Sequence, residues 1–554
     1  MNIKEFINSR SKSLNQAAII LAVSAFLSLV LGLLRDRLLA GTFGAGRDLS
    51  VYYAAFSIPD FVFNILFAGS IVVAFLPVFA EHYSRDEKEA WRMANYVLNS
   101  FLFFTLVISA LLFIFAPQAI GIIVPGFDAS AQAETVGLTR LMLLSPIFFG
   151  LSSFFSSVLQ YFKRFLAYSF APILYNLGII FGVIFLTPSM GVFGAGIGVV
   201  LGSAAHLLVQ IPAALKCGFK YQPLFDLKYP AVFQIINLTF FRSLAASLSQ
   251  INFMVINSIA SKISLGAVAV FKLSFNLSFF PIGILGVSLA TAAFPGLAQN
   301  WVDGKKQEFY KNFSSAFRQI LYISLPAGIL FFVLREPMVR FILQTGQFGM
   351  RDAALTAACL GIYSFTILPQ CLVPLVLRGF FSAKDTRTPV ILAFFFVAFN
   401  VLLSLGLVAL AGGANFFSAA LKSVFGFNFV QPGTLQMLAL CIAFSAALMF
   451  QFIIFMVFLY KKIGDFGIEE IAISFGKMFL AGSVSFFFGT WFLPIANDFF
   501  GQGLRGNFLQ LAGVGGAGFL LYFLVTLALR SSEANAFTAS VLNRFKKYGK
   551  PKTN

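Results

Sequence analysis

The sequence predicts an all-α polytopic membrane protein with about 14 transmembrane helices, in two parallel six-helix lobes plus two C-terminal helices. Of the 554 residues, 59% are hydrophobic and 11% are charged, whereas a soluble domain has about 25% charged residues. Runs of about 20 mostly apolar residues, long enough to cross a bilayer as a helix, recur along the whole chain. A repeat within the chain supports the two lobes.

The candidate spans follow one another closely, and no segment between them is long enough for a soluble domain. The first run follows a basic N-terminus and is too long for a cleavable signal, so we expect an uncleaved first helix. The predicted spans lie near 16–34, 51–80, 95–116, 137–160, 165–187, 190–213, 238–261, 265–297, 315–334, 353–378, 389–412, 435–460, 472–496 and 506–529.

Basic residues are distributed unevenly among the loops. The formal net charge is +18, from 39 Lys and Arg against 21 Asp and Glu. With the N-terminus in the cytoplasm and the spans alternating, inside loops hold about 25 basic residues and outside loops about nine. The positive charge is therefore interpreted as a topology signal and not as a nucleic-acid surface, and both termini are predicted to be cytoplasmic.

The residue types that support catalysis are scarce and scattered. The four cysteines have no metal-site spacing, and the chain has two histidines. No glycine-rich phosphate loop is followed by a lysine, and no catalytic triad or carboxylate pair is present. The sequence thus predicts no enzymatic reaction, no metal and no cofactor.

An internal repeat relates the second span to the eighth. When the chain is aligned with itself so that Phe56 meets Phe275, no gap is needed for Glu89 to meet Glu308 in the loop beyond. We call this constant separation the repeat offset. Phe and Leu are common in this chain, so matches between them could arise by chance. The matches between loop residues make chance a less satisfactory explanation. Six spans separate the copies, so both have the same orientation, as in transporters with parallel repeats. The predicted domains are an N-lobe (1–213), a cytoplasmic inter-lobe loop (214–237), a C-lobe (238–462), a C-terminal helix pair (463–530) and a basic cytoplasmic tail (531–554).

Polar residues inside the spans are candidates for function, because ionisable groups are costly in a bilayer. Several occur at helical spacing: two lie four residues apart in the second span, two lie four apart in the eighth, and a stripe follows the seventh. The alternatives are an interfacial pair at the end of the first span, helix–helix hydrogen bonds in the seventh and a snorkelling lysine in the eighth. The candidate substrate-binding residues are Arg35, Asp60, Asn64, Arg242, Gln250, Asn252, Lys272 and Asn276.

Six motifs in chain order carry a family resemblance. They are Leu-Gly-Leu-Leu-Arg-Asp (31–36), Phe-Gly-Ala-Gly (43–46), Ala-Phe-Leu-Pro-Val-Phe-Ala-Glu (74–81), Ser-Gln-Ile-Asn (249–252), Phe-Pro-Ile-Gly-Ile-Leu-Gly-Val (280–287) and Lys-Asp-Thr-Arg-Thr-Pro (384–389). With these motifs the chain resembles the MurJ (MviN) lipid II flippase family of the multidrug/oligosaccharidyl-lipid/polysaccharide exporter superfamily. The resemblance runs from the first span to about the eleventh.

The resemblance implies a function. The substrate would be the undecaprenyl-diphosphate-linked glycopeptide precursor of peptidoglycan, moved from the inner to the outer leaflet of the bacterial cytoplasmic membrane by alternating access. The helices near 472–529 would supply a groove for the lipid tail. Arg35 and Arg242 match positively charged positions of the family's cavity motifs. The implied partners are this substrate and membrane lipids, with no nucleic acid, and no coupling ion is assigned.

The chain also departs from the family's charge pattern. Lys272 is an added charge, one helical turn from a position where many members have arginine. Members carry arginines at the positions of Leu29, Phe63 and Asn276, and acidic residues at those of Ala68 and Phe279.

Three other functions remain open at this point. The first is a flippase for another polyprenyl-diphosphate-linked glycan, and the second is a cation-coupled exporter of the multidrug type. The third is a membrane scaffold that does not transport. Arg242 and Lys272 within the spans favour an anionic lipid over a cationic drug, since a drug exporter would need acidic residues there.

Overall fold

Helices account for nearly all of the described chain, as expected in a bilayer, where a helix satisfies its own backbone hydrogen bonds. The computed structural model describes residues 14–67, 71–425, 433–536 and 538. The basic residues before residue 14, Ala68 and the tail lysines from 546 on lie outside this part, as does the side chain of Arg242. In chain order the helices are α1 Leu14–Phe43, α2 Arg47–Ala55, α3 Ser57–Leu66, α4 Ile71–Arg85, α5 Glu87–Ile114, α6 Ala116–Ile123, α7 Ala129–Met142, α8 Ser145–Tyr161, α9 Phe165–Phe181, α10 Thr187–Met190, α11 Val192–Leu208, α12 Ile211–Leu215, α13 Pro230–Ile263, α14 Ala267–Pro281, α15 Ser288–Val302, α16 Lys306–Val333, α17 Arg335–Leu343, α18 Met350–Ser382, α19 Arg387–Ala411, α20 Phe416–Phe425, α21 Thr434–Ile463, α22 Ile468–Phe500 and α23 Leu504–Ala528, with π-helical turns at Gly182–Leu186 and Ile282–Val287.

Twelve helical segments of the described chain are long and apolar enough to cross a membrane. They correspond to twelve of the fourteen predicted spans. The other two predicted spans coincide with α1 and α13, helices of 30 and 34 residues. The all-helical polytopic fold class is confirmed, and the count of fourteen spans stays a prediction.

The internal repeat is visible in the helix boundaries. The ends of α5, Glu87 and Ile114, lie one repeat offset before the ends of α16, Lys306 and Val333. The short helices that follow them, α6 and α17, also begin one repeat offset apart. The offset found between the second and eighth spans therefore continues through the helices that follow in each copy, which chance matches between apolar residues would not produce.

The first and second spans differ from their predicted limits. The first helix does not end near residue 34 but continues to Phe43, because the charges of Arg35 and Asp36 bind each other inside the helix. The second predicted span, 51–80, is divided among α2, α3 and α4. The first break is at Phe56, and Pro59 lies in the first turn of α3, where its missing N–H removes no helical bond.

The loop predicted over 214–237 is shorter in the structure, because α13 already begins at Pro230. Two buried asparagines of α5 bind its backbone. The Asn95 side chain donates to the Lys220 carbonyl (3.0 Å) and accepts from the Gln222 amide (2.8 Å), and Asn99 donates to the Gln222 carbonyl at 2.9 Å. The extended segment after α12 is therefore fixed to α5.

Contacts between helices divide the chain into two compact units. The first comprises Met1–Val270 with Leu343–Gly349, and the second comprises Phe271–Ile342 with Met350–Asn554. Each has its own aromatic core, around Phe79 and Trp91 in the first and around Phe309 and Phe313 in the second. The limits of the two lobes, with their boundary in 214–237, stay a prediction.

The Lys-Asp-Thr-Arg-Thr-Pro motif begins α19 in the second unit. The Asp385 carboxylate accepts hydrogen bonds from the Thr388 amide (3.0 Å) and hydroxyl (2.7 Å), and Lys462 lies 3.5 Å away. Burial raises the pKa of the Asp385 carboxyl, but the Thr388 hydrogen bonds and the Lys462 charge outweigh it and lower that pKa below its ordinary value. This motif therefore caps a helix and ties it to the end of α21.

Candidate functional site

Arg35 lies in a buried polar network between α1 and α9 of the first unit. Its guanidinium donates two hydrogen bonds to Asp36 Oδ1, at 3.0 and 2.7 Å, and one to Asn176 Oδ1 at 3.0 Å. The Asn176 amide nitrogen donates in turn to the Ser28 carbonyl (3.2 Å) and the Pro172 carbonyl (3.1 Å). The Arg35 side chain is 22% exposed and that of Asp36 is 6% exposed. The positive charge of Arg35 is thus compensated by Asp36, and its guanidinium is held in one orientation.

The bonds to Asp36 and Asn176 use part of the donor set of Arg35. A guanidinium has five N–H donors in a planar fork, and the bonds to Asp36 and Asn176 use three of them. A phosphate oxygen that approached the outer edge of the fork would meet N–H groups already in position. Arg35 and Asp36, for which an interfacial pair is the alternative interpretation, lie within α1 and bind each other there.

Asp60 and Asn64 lie on one face of α3, as their spacing predicts. Both are half-buried, and the Asn64 side chain donates to the Asp60 backbone carbonyl at 2.7 Å. That bond supports the first turns of α3 after the break at Phe56. Asp60 thus lies in the first turn of a short helix that begins after the break at Phe56.

The polar stripe of α13 meets the second span in the first unit. The Asn257 side-chain amide donates to Ser57 Oγ at 3.0 Å, and Asn257 is 1% exposed. Among the described residues, Asn257 Oδ1 has no hydrogen-bond partner. Asn252 is 2% exposed and Gln250 is half-buried. Part of this stripe therefore makes the helix–helix bond that was the alternative interpretation.

Lys272 and Asn276 lie one turn apart on α14, in the second unit, and both are half-buried. The neighbouring face of the helix is fixed by aromatic packing: the Phe271 and Phe275 rings lie 5.3 and 5.6 Å from that of Phe444. The π-helical turn Ile282–Val287 follows directly, and such turns are frequent at functional sites. The two polar side chains are thus carried by a helix whose neighbouring face is well packed.

Asn176 is the residue of this network that sequence reasoning missed. It stands in an apolar run, Ile-Leu-Tyr-Asn-Leu-Gly-Ile-Ile, four residues after Pro172. A single amide in such a run indicates a hydrogen bond to another helix, because a buried polar group needs a partner. The sequence does not show which partner, since Arg35 is 141 residues away.

An apolar groove runs between α16, α18 and α22 in the second unit. Its volume is about 380 Å³. Three of its lining phenylalanines, Phe365, Phe479 and Phe487, are exposed. The lining residues are Leu325, Gly328, Ile329, Phe332, Ser364, Phe365, Leu368, Phe479, Gly482, Ser483, Phe486 and Phe487. Of the two C-terminal helices predicted to supply a groove, α22 lines it.

Solved structures with the same fold are membrane transporters. One described as "Lipid II flippase MurJ, inward closed conformation" superposes with a TM-score of 0.71 over 95% of this chain and 100% of that chain, at 22% identity. A second, described as an inward-facing multidrug resistance MATE family transporter of the MOP superfamily, has a TM-score of 0.60, covering 80% of this chain and 98% of that one at 14% identity. These likenesses establish the fold.

Sequence relatives extend the comparison. A "Probable lipid II flippase MurJ" of Buchnera aphidicola subsp. Acyrthosiphon pisum (strain APS) is 29% identical over 390 residues, 69% of this chain and 76% of that protein. The "Lipid II flippase MurJ" of Burkholderia cenocepacia is 27% identical over 385 residues, 68% of this chain and 75% of that protein. The family model "Lipid II flippase MurJ" matches residues 39–500. The chain therefore belongs to the lipid II flippase MurJ family.

Proposed function

We propose that this protein moves lipid II, the polyprenyl-diphosphate-linked precursor of peptidoglycan, from the inner to the outer leaflet of the bacterial cytoplasmic membrane. The observation that carries the proposal is the match of the family model over residues 39–500. The relatives' names refer to lipid II flippases. The protein would act by alternating access, with both termini in the cytoplasm, and would make and break no covalent bonds.

The substrate's diphosphate would bind to the fixed cations of the spans. Arg35 supports this role, because Asp36 and Asn176 orient its guanidinium with three of its five N–H donors, and a phosphate oxygen could accept from the other two. Lys272 would act as a point charge beside Asn276, the position where many family members have arginine. Arg242 on α13 would add a third charge. Asp60, Asn64, Gln250 and Asn252 would contact the polar glycopeptide.

The lipid tail would lie in the groove between α16, α18 and α22. The groove is almost entirely apolar and about 380 Å³ in volume, whereas the diphosphate and sugar need a polar environment. A tail in this groove would stay in contact with hydrocarbon while the head group crosses. Such a division lets one protein move an amphipathic molecule without exposing the tail to water.

The test is replacement of a host's own lipid II flippase by this chain. Cells depleted of that flippase should grow when the chain is expressed, and Arg242→Ala should abolish growth at unchanged protein level. Arg242→Lys, which keeps the charge, should retain part of the activity. Arg505→Ala, at an exposed position at the start of α23, is the matched control and should grow normally.

Failure to sustain growth would count against the proposal. If the chain does not sustain growth although it is present in the membrane at the host protein's level, lipid II is not its substrate. Reconstituted vesicles then separate the alternatives: transport of another polyprenyl-diphosphate glycan, or cation-dependent efflux of a drug, would each identify one of them.

A further inference from the structure

A second apolar groove lies in the first unit, between α5 and the pair of helices α7 and α8. Its volume is about 630 Å³, within the range of about 300–1,000 Å³ that is usual for sites of small molecules. The described residues that line it lie within 106–147, and all of them except Ser109 and Arg140 are apolar. We call this cavity the α5 groove. It contains none of the residues proposed to bind lipid II.

The α5 groove and the groove between α16, α18 and α22 are related by the internal repeat. One wall is equivalent because the repeat offset takes the range of α7 and α8, 129–161, onto 348–380, which nearly coincides with α18. On the other wall, four lining residues of α5 meet four lining residues of α16. Among them are Leu106 with Leu325, Ala110 with Ile329 and Phe113 with Phe332. The two grooves are therefore the same feature of the two copies.

The two grooves differ in their third wall. In the second unit α22 packs on the face of α16 and contributes five lining residues, among them Phe479 and Phe486. On α5 no helix takes that place, since the described lining residues of the α5 groove come only from α5, α7, α8 and the link between the last two. A face that an apolar helix covers in one copy is thus uncovered by protein in the other.

An arginine lies near the C-terminal end of both α5 and α16. Arg140 Nε donates to the Phe113 carbonyl at 3.0 Å, and its guanidinium carbon lies 5.0 Å from the centre of the Phe113 ring. Arg335 Nη1 donates to the Phe332 carbonyl at 2.7 Å, and its guanidinium carbon lies 4.7 Å from that ring. The two phenylalanines are repeat equivalents, but the two arginines are not. The same arrangement is thus formed twice from different positions in the sequence.

The contacts of Arg140 within the protein leave its charge uncompensated. The bond to the Phe113 carbonyl uses one of the five N–H donors of the guanidinium. Among the described residues no carboxylate forms an ion pair with Arg140, and Glu134, the acidic residue of α7, binds Arg47 at 2.6 Å. The charge distribution predicts that α7 begins on the outer side, which places Arg140 near the head groups of the outer leaflet.

We propose that the α5 groove binds a glycerophospholipid of net negative charge, with an acyl chain along α5 and the phosphate on Arg140. The chain would lie where α22 lies in the second unit. Apolar side chains line the groove, so it fits hydrocarbon. The uncompensated guanidinium at its end fits a phosphate oxygen, and its charge favours an anionic lipid over a zwitterionic one. This site is separate from lipid II transport and does not rest on the proposed function.

The first measurement is lipid binding. Native mass spectrometry of the purified protein, titrated with phosphatidylglycerol, should show a bound lipid whose affinity falls about tenfold or more in Arg140→Gln, because a charged hydrogen bond contributes this much. Ala110→Trp keeps Arg140 but fills the groove at an exposed position, and should lose the lipid too. Arg505→Gln is the matched control, an exposed arginine at the start of α23, and should bind as the wild type does.

The second measurement is thermal stability. A ligand that binds only the folded chain raises its melting temperature. Phosphatidylglycerol should therefore raise that of the wild type and Arg505→Gln, and leave that of Arg140→Gln and Ala110→Trp unchanged. Each variant is compared with itself without lipid, since Arg140→Gln also loses the bond to the Phe113 carbonyl. The shift thus reports the lipid and not the bond.

Four results would overturn the proposal. Unchanged affinity in Ala110→Trp would show that charge alone holds the lipid. Equal affinity of the wild type for phosphatidylcholine would remove the selection by Arg140. Displacement of phosphatidylglycerol by an equal concentration of a polyprenyl phosphate would assign the groove to a polyprenyl lipid. A wild-type dimer that Ala110→Trp converts to a monomer would assign it to a second copy of this chain.

Discussion

Replacing Arg35 and Asp36 singly and together by leucine separates stability from function at the buried pair. In Asp36→Leu the Arg35 guanidinium loses two hydrogen bonds, at 2.7 and 3.0 Å, and stays in a site where its side chain is 22% exposed. Removing one partner of a buried ion pair costs about 3–5 kcal/mol, because the other charge is left uncompensated. Arg35→Leu should cost a similar amount, since Asp36 is 6% exposed.

The double variant should be much less destabilised than the two single variants added together. Replacing a whole buried pair by apolar residues is often neutral or stabilising. One remaining cost is the Asn176 Oδ1 acceptor, which loses its donor and accounts for about 1–3 kcal/mol. The single losses total about 6–10 kcal/mol, so the coupling energy should be at least about 3 kcal/mol.

The assay is reversible unfolding of the purified protein in bicelles for the wild type and the three variants, with growth of the flippase-depleted host measured beside it. We expect the double variant to be folded and inactive, because the proposed function assigns Arg35 to the diphosphate. Additive losses of stability would refute the pairing. Growth on the stable double variant would refute the role of Arg35 in transport.

Three further predictions concern topology, the eighth span and pH. A thiol reagent that cannot cross the membrane should label Ser130→Cys from outside and not Ser84→Cys, because the loop 117–136 lacks Lys and Arg; the reverse labelling contradicts the assigned orientation. Lys272→Ala should lose transport, and adding Asn276→Arg should restore part of it, since the two positions are one turn apart; full activity of Lys272→Gln contradicts a phosphate-binding role. Burial raises the pKa of the Glu533 carboxyl, but hydrogen bonds from two neighbouring serines and a nearby arginine charge outweigh it and lower that pKa. The stability that ionised Glu533 contributes should therefore be complete above pH 4.5, the ordinary pKa of its carboxyl, and should be lost as the pH falls through the lower pKa of the folded state. The melting temperatures of the wild type and Glu533→Gln should accordingly differ at pH 7 and converge in acid.

The features predicted correctly were those that depend on residues close together in the sequence or on a constant spacing along it. Span positions follow from apolar length, which acts residue by residue in a bilayer. The repeat follows from a constant offset, and the limits of α5 and α16 keep that offset. Residues four apart lie on one face of an α-helix because of its fixed period, and this places Asp60 with Asn64 and Lys272 with Asn276. Where the first helix ends was mispredicted, because a charged pair that compensates itself does not stop a helix.

The sequence by itself therefore determined the fold class, the family and the parallel repeat. Only the tertiary structure decided which polar groups bind each other: Arg35 with Asn176, 141 residues apart, and Asn257 with Ser57, 200 apart. The apolar faces of membrane helices are alike, so hydrophobic pattern does not choose neighbours. That choice is made by close packing at small residues and by the need of each buried donor for an acceptor, and both are properties of the assembled helices.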